Sequence, residues 1–452
     1  MIQLYDTLHQ EKREFKPLNP PAVSMYVCGV TVYDVCHIGH ARAYVVFDML
    51  KRHLVGAGYT VNHIQNFTDI DDKIIRKAAE QDVPITTITE RYTQTFFDDM
   101  AALNIQPANH YPKATEHMAE IIALIERLLR VGAAFVHANG DVLFSTAAFD
   151  GYGKLSKKVL DDLEAGHRET AHSIEFPSLD FVLWKQSKPG EPAWPSPWGP
   201  GRPGWHIECS AMAMQYLGEQ IDIHGGGEDL VFPHHENEIA QCESCTGKPF
   251  VQYWIHNGFV TLHRQKMSKS LNNTITIRDL LNTVDPGAIR LYLLRTHYRT
   301  PFQFSWDGLE ETRRSLHKLR ACLADPETQG PTATQATELD HLHQRFTQAL
   351  DDDINTAMAV GVCFEILRYI QTQGVGRRVL QNCLDYLGIV YAMETSETPA
   401  LPAVCEALMA ERETARSQKD FARSDQLRDE LLTHGIVVKD ARDGTTWEWV
   451  KG

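Results

Sequence analysis

The stretch from Tyr26 to His40, Tyr-Val-Cys-Gly-Val-Thr-Val-Tyr-Asp-Val-Cys-His-Ile-Gly-His, constrains the fold more than any other part of the chain. Met25 to Cys28 is an apolar run that reads as a short buried strand ended by Gly29. An irregular stretch leads to His37-Ile38-Gly39-His40, and a largely apolar helix is expected from about Ala41 to Val55. A strand that stops at glycine and feeds a helix N-terminus is how open α/β sheets build a phosphate site. The free N–H groups of the first turn and the helix dipole both face the anion there. His37 and His40 add two imidazoles able to donate to a polyphosphate, and Gly39 lets backbone approach a nucleotide closely. Taken alone, these four residues fit a plain strand–turn–helix with two surface histidines equally well.

The helix gives way near Gly56-Ala57-Gly58 to a strand over about Tyr59 to Phe67, which makes a β-α-β unit and a parallel crossover. Thr68 follows, and Asp69-Ile70-Asp71-Asp72 is an acidic helix start that complements the dipole. A further helix is expected from about Thr86 to Leu103. An insert of different character comes next. Met118, Ile121, Ile122, Ile125, Leu128 and Leu129 repeat at helical spacing, and Phe135 to Phe144, with Asn139-Gly140 in the middle, predicts a β-hairpin. Pro189 to Pro203 is expected to be an ordered loop.

After Gly204 the α/β pattern resumes. A strand from Ile221 to His224 enters Gly225-Gly226-Gly227, a helix starts near His234, and strands cover Gln252 to His256 and the vicinity of Phe259. Asp285-Pro286-Gly287 caps a helix through Thr296. Beyond residue 305 helical stripes dominate: Leu339, Leu342, Phe346 and Leu350, then Val360, Cys363, Phe364, Leu367 and Ile370, then Val379, Leu380, Cys383, Leu384 and Leu387. Asp325 to Thr337 is read as a loop and Glu394 to Pro402 as a linker. Two helices and two short strands, Ile436 to Lys439 and Thr445 to Val450, close the chain.

At 452 residues, about three domains are expected from a prior of roughly 150 residues each. Residues Met1 to Phe15 lack a secretory core and no apolar run reaches transmembrane length, so a cytoplasmic protein without membrane contact is expected. Nine scattered cysteines point to free thiols or metal ligands rather than disulfides. A net charge of −15 argues against indiscriminate nucleic-acid binding, while leaving room for a local basic stripe.

A second informative stretch is Lys266-Met267-Ser268-Lys269-Ser270, in a polar segment between the strand near Phe259 and the helix near Thr276. Two lysines on a mobile loop suit charge that appears transiently, as when pyrophosphate leaves ATP. Alone, the pentapeptide is an ordinary solvated basic turn. A third constellation resembles a metal site. His234 and Glu238 are spaced to share one helix face, Cys28 ends the first strand, and Cys209 lies in Trp205-His206-Ile207-Glu208-Cys209-Ser210. Two thiolates, an imidazole and a carboxylate make an acceptable Zn²⁺ shell, although no spacing rule joins them. Cys242-x-x-Cys245 is a local rival, and His235 competes with His234.

His37-Ile38-Gly39-His40 together with the lysine pentapeptide is the signature of class I aminoacyl-tRNA synthetases. The chain resembles the cysteinyl-tRNA synthetases over essentially its full length. To the two motifs are added Asn66-Phe67-Thr68-Asp69-Ile70-Asp71-Asp72-Lys73, Gly204 to Ser210, His224-Gly225-Gly226-Gly227 and Phe232-Pro233-His234-His235-Glu236-Asn237-Glu238. One departure is Leu271-Asn272-Asn273, where the family commonly has Leu-Gly-Asn.

The resemblance implies an α/β protein with a Rossmann-like parallel-sheet catalytic domain (residues 1–114 and 204–304) interrupted by a connective insert (115–203). A helical bundle (305–392) and a small α+β anticodon-binding domain (393–452) follow. It implies one Zn²⁺ per chain on Cys28, Cys209, His234 and Glu238, and Mg²⁺ accompanying ATP. Gly29, Thr68, Trp205 and His224 would surround the substrate cysteine. His37, Gly39, His40, Gly226, Asp229, Lys266 and Lys269 would bind ATP, with His37, His40, Lys266 and Lys269 acting in catalysis. The implied reaction makes cysteinyl-adenylate and transfers the cysteinyl group to tRNA(Cys), and a monomer is expected.

Arg412, Arg416, Lys419 and Arg423 form a helical stripe that the resemblance assigns to tRNA, with interleaved acids favouring a solvated face instead. Trp447 and Trp449 could stack on bases or fill a small core. Two other functions share parts of this pattern: a ligase on the same catalytic domain passing cysteine to an amine, and a zinc-dependent thiol sensor or tRNA-binding module. The tail beyond residue 305 argues against the first, and the two intact signature motifs against the second.

Overall fold

The computed structural model describes residues 1–157, 179–262, 265–266, 274–325, 329–389, 403–418, 420–433, 436–441 and 444–449. At the N-terminus β1 (Gln3–Asp6) and β2 (Glu11–Glu14) form an antiparallel hairpin. The apolar run becomes β3 (Ala22–Thr31), longer at both ends than expected, and Gly29 does not stop it. Gly29 instead permits a close approach: a Cβ there would stand 1.5 Å from the Asn66 carbonyl oxygen. Pairing with β4 (Thr60–Thr68) accordingly shifts register between Val27 and Val30. Between them runs α1 (Ile38–Gly56), which starts three residues before the expected Ala41 because His37 itself is the N-cap.

With β9 (Ile221–Gly227) and β10 (Val251–Asn257), these strands make one parallel sheet in the order β10-β9-β3-β4. Its apolar side chains, among them Met25, Val27, Ile223 and Ile255, are buried, as parallel sheets covered on both faces require. The chain leaves β3 toward β4 and later returns on the other side of β3 as β9. The C-terminal ends of β3 and β9 therefore flank the switch point where open sheets receive ligands.

After β4 the first catalytic half adds α2 (Asp72–Gln81) and α3 (Ile85–Ala102); the insert then carries α4 (Met118–Arg130), followed by an antiparallel sheet of β5 (Ala134–Val136), β6 (Val142–Phe144), β7 (Phe181–Gln186) and β8 (Gly201–Pro203). The Asn139-Gly140 hairpin is β5–β6. The Pro189–Pro203 loop ends differently from its expectation: its last three residues pair with β7 as an edge strand, a place where proline is tolerated. Then α5 (Trp205–Leu217) leads to β9. Ahead of α6 (Glu236–Thr246), Phe232 is extended and Pro233 follows, so regular helix begins two residues after His234.

The small sheet of β11 (Val260–Leu262), β12 (Gln265–Lys266) and β13 (Phe302–Phe304) frames α7 (Ile277–Leu281) and α8 (Pro286–Leu294), the latter capped by Asp285. The bundle comprises α9 (Trp306–Ala324), α10 (Ala333–Asp351), α11 (Thr356–Gln373) and α12 (Arg377–Tyr386). Its expected stripes are buried, Phe364 and Val379 partly. The loop expected to reach Thr337 ends at Thr332, because Thr332 and Gln335 form a reciprocal capping box. One compact unit spans Met1–Tyr391 and a second Ala392–Gly452. The second holds α13 (Ala403–Ser417), α14 (Phe421–Thr433) and the hairpin β14 (Ile436–Ala441) and β15 (Gly444–Trp449). The expected linker at Glu394–Pro402 lies outside the described residues. No described helix is long and apolar enough to cross a membrane.

Candidate active site and metal centre

At the switch point a cavity of about 510 Å³ is lined by Cys28, Gly29, His37, Gly39, His40, Trp205, Gly226 and Asp229, all expected there. Lys73 and Asn257 also line it and were not anticipated. Lys73 lies just after the acidic turn at the head of α2, and Asn257 ends β10, so a nucleotide-sized pocket at the strand ends was the signal for both.

His37 Nδ1 accepts from the Gly39 N–H at 3.1 Å, and His40 Nδ1 accepts from the His37 N–H at 3.1 Å, a capping box made of imidazoles. The rings stack with centroids 3.8 Å apart. A side chain at Gly39 would sit 2.8 Å from the His37 ring, so the glycine makes this arrangement sterically feasible. Each Nδ1 therefore closes the helix end, and any donation to phosphate falls to Nε2. The segment after the lysine loop is tied to the same motif: Ile38 N donates to Ile275 O, and Ile277 N to Cys36 O, both at 2.9 Å. The Lys266 backbone lies in β12; its side chain and all of Lys269 lie outside the described residues.

Three segments distant in sequence, carrying Cys28, Cys209 and the His234–Glu238 pair, converge beneath the cavity. Cys28 Sγ lies 4.0 Å from Cys209 Sγ and 3.7 Å from Glu238 Oε1, and His234 Nε2 lies 2.9 Å from Glu238 Oε1. All four are buried. A tetrahedral Zn²⁺ with Zn–S near 2.3 Å would set its two sulfurs roughly 3.8 Å apart, so the donor set fits the ion. His235 also approaches, with Nε2 3.2 Å from Cys28 Sγ, and it, not Cys209, completes with Cys28, His234 and Glu238 the group whose ligand atoms fall within 4.8 Å of one another. It is the described chain's one such cluster of three or more donors, so the Cys242–Cys245 rival gathers no shell. Burial pushes both of those thiols up.

The electrostatics favour a cation. Burial alone would raise Glu238, but His224 and His234 outweigh it and hold the carboxyl at about 2. Burial would likewise lower His234, yet Glu238 and Cys209 raise it to about 10. The hydrogen bond from Cys28, helped by His234, brings the Cys209 thiol to about 6, while burial raises Cys28. The pocket thus gathers a carboxyl and a thiol whose anionic forms are favoured around one basic imidazole.

Two expected cysteine-pocket residues are placed differently. His224 is fully buried and gives Nε2 to Glu238 Oε2 at 2.7 Å, so it orients a carboxylate instead of lining the cavity. Thr68 is also buried behind the wall, beside Glu208. Trp205 does line the cavity: it is 42% exposed and lies 4.5 Å from the His234 ring, so a core role is ruled out. His206, missed as a functional residue, places Nδ1 2.9 Å from His234 Nδ1. In the second unit the basic stripe is not one solvent face. Arg412 is buried, Arg423 pairs with Glu411 at 2.7 Å, Arg416 is exposed, and Lys419 lies outside the described residues. The side chains of Trp447 and Trp449 are likewise outside them.

Comparison with known proteins identifies the family. Residues 14–314 match the family model for the class I (C) tRNA synthetase catalytic domain, 345–389 a DALR domain, and 398–447 a cysteinyl-tRNA ligase anticodon binding domain. The chain is 48% identical to the cysteine–tRNA ligase of Geobacter sulfurreducens and 47% identical to that of Alkalilimnicola ehrlichii, with 99% of each chain covered in both cases. In fold it is similar to Mycobacterium tuberculosis methionyl-tRNA synthetase in complex with methionyl-adenylate. That match has a TM-score of 0.57 at 15% identity, covering 81% of this chain and 87% of the other. A catalytic-domain match over most of the chain, and near-half identity along its whole length, leave one assignment: this protein belongs to the cysteinyl-tRNA synthetases, ligases of class I.

Proposed function

We propose that this ligase activates L-cysteine with ATP to cysteinyl-adenylate and pyrophosphate, then passes the cysteinyl group to the 3′-terminal ribose of tRNA(Cys). One Zn²⁺, held by Cys28, Cys209, His234 and Glu238, would supply a soft Lewis acid that prefers a thiolate to a hydroxyl. The observation that carries the reading is the buried two-sulfur, one-imidazole, one-carboxylate cluster opening through Cys28 onto the phosphate-side cavity. Cysteine and serine differ in one atom, and a pocket that sorts by size alone supplies only ~1–3 kcal/mol. Discrimination of 10⁴ needs about 5.5 kcal/mol. Soft-ligand preference and the lower pKa of a thiol provide terms that serine cannot match.

The remaining roles belong to the chain itself. Trp205 closes one wall of the substrate pocket. His224 holds the far oxygen of Glu238, and His206 takes the hydrogen bond of His234 Nδ1–H, so that Nε2 faces the metal position. The substrate carboxylate attacks the α-phosphate of ATP, and pyrophosphate leaves past the head of α1. His37 and His40 steady the phosphates there, with Mg²⁺ accompanying the nucleotide and Lys266 and Lys269 meeting the departing charge. Gly226 and Asp229 lie toward the nucleoside. Arg416 remains the tRNA-facing candidate of the tail. Cysteine-dependent ATP–pyrophosphate exchange tests the activity. Exchange with cysteine and at least 10³-fold less with serine is expected; Cys209→Ser should lose both zinc and exchange. Equal exchange with the two amino acids would refute the selectivity argument.

A further inference from the structure

Thr7 lies in the short turn after β1, remote from every motif in the chain, yet it ends a line of hydrogen bonds that reaches Cys28. Thr7 Oγ1 is 2.8 Å from His256 Nδ1, His256 Nε2 is 2.8 Å from His235 Nδ1, and His235 Nε2 is 3.2 Å from Cys28 Sγ. Both imidazoles are buried, His235 completely. The turn carrying Thr7 is fixed to the catalytic sheet. Thr7 N donates to Trp254 O at 2.9 Å, and the fully buried Asp6 accepts from Trp254 N at 3.1 Å and from Arg13 Nη1 at 2.9 Å.

We infer that Thr7 is a positioning residue for the metal centre, its hydroxyl supplying the terminal donor of the Thr7–His256–His235–Cys28 chain. The inference rests on the zinc reading above. A sulfur committed to a metal as thiolate has no proton to give, so His235 must present Nε2–H to it. A neutral imidazole carries one N–H, so His235 Nδ1 accepts from His256 Nε2–H. His256 Nδ1 is then an acceptor, and the Thr7 hydroxyl is the donor in range. Reversal at any link would place two donors or two lone pairs face to face. The N-terminal hairpin thereby determines how firmly Cys28 is presented, in the manner of outer-shell groups that orient a metal's direct ligands.

The test compares zinc-loaded full-length wild type, Thr7→Val, which keeps the shape and removes the donor, and Thr7→Ser, which restores it. Zinc release to a chromogenic chelator and the melting of each metal-free protein are measured. Thr7→Val is expected to release zinc about tenfold faster, Thr7→Ser at close to the wild-type rate, and the three metal-free forms to melt together. Wild-type release from Thr7→Val, equally fast release from Thr7→Ser, or a lowered melting point of metal-free Thr7→Val would overturn the inference. A wild-type chain that takes up no zinc would instead overturn the zinc reading itself.

Discussion

His63 on β4 is buried, and neither ring nitrogen has a hydrogen-bond partner among the described residues. Burial, with Lys51 nearby, pushes it from 6.5 to about 3. The folded chain therefore keeps this imidazole neutral where the unfolded chain protonates it. Its contribution to stability is present in full above pH 6.5 and is lost as pH falls from there toward 3. At pH 5 the loss is about 2 kcal/mol, from 1.36 kcal/mol per pH unit. Urea midpoints of wild type and His63→Phe between pH 7 and pH 5 check this: the wild type should lose about 2 kcal/mol more than the variant. Parallel curves would refute it. Nothing in the sequence marked His63, because alternation along a strand does not distinguish a buried neutral histidine from a surface one. His37 and His40 were legible because their spacing from Gly39 at a helix start has a chemical meaning. That each ring would spend Nδ1 on capping was not, since it depends on rotamers.

Helix α1 carries the phosphate site at one end and is clamped to the bundle along its length. Arg42 reaches the carbonyls of Leu293 and His297 at 2.8 and 2.9 Å. Asp48 accepts from Arg52, from Gln106 N and from the fully buried Arg290. Arg290 Nε donates to Leu387 O at 2.7 Å and Nη1 to Leu103 O at 3.0 Å. His53 near the far end contacts Tyr386 and Asp351. Arg290→Met would leave Asp48 short of a partner and strand two buried carbonyls, a change expected to cost about 3 to 5 kcal/mol. Chemical unfolding measures it, and a cost below about 1 kcal/mol would contradict the assignment of Arg290 as the clamp. The strand–helix–strand order, the Asn-Gly hairpin and the bundle stripes could be read in advance from periodicity and turn residues. The helix starts at Ile38, Glu236 and Ala333 could not be placed to the residue, because caps and the Phe232-Pro233 break set them. The salt-linked core around Asp48 joins residues far apart in sequence and left no local trace.

At the scale of the whole molecule, the sheet order β10-β9-β3-β4 brings the ends of two crossover units together, so Cys28, Cys209, His234 and Glu238 meet although no spacing rule connects them. The family resemblance supplied that set; the geometry adds His206, His224 and His235 around it and removes Thr68 and His224 from the cavity wall. The tail stripe does not form a single solvent face, because a helix in a small unit must bury one side and Arg412 lies on it. Zinc-edge X-ray absorption of the purified protein, before and after saturation with L-cysteine, reads the central claim directly. Zinc bound through two sulfurs and two nitrogen or oxygen atoms, gaining a third sulfur with cysteine and none with serine, is the predicted result. A sulfur count unchanged by cysteine, or a fully active enzyme without the metal, would contradict the account.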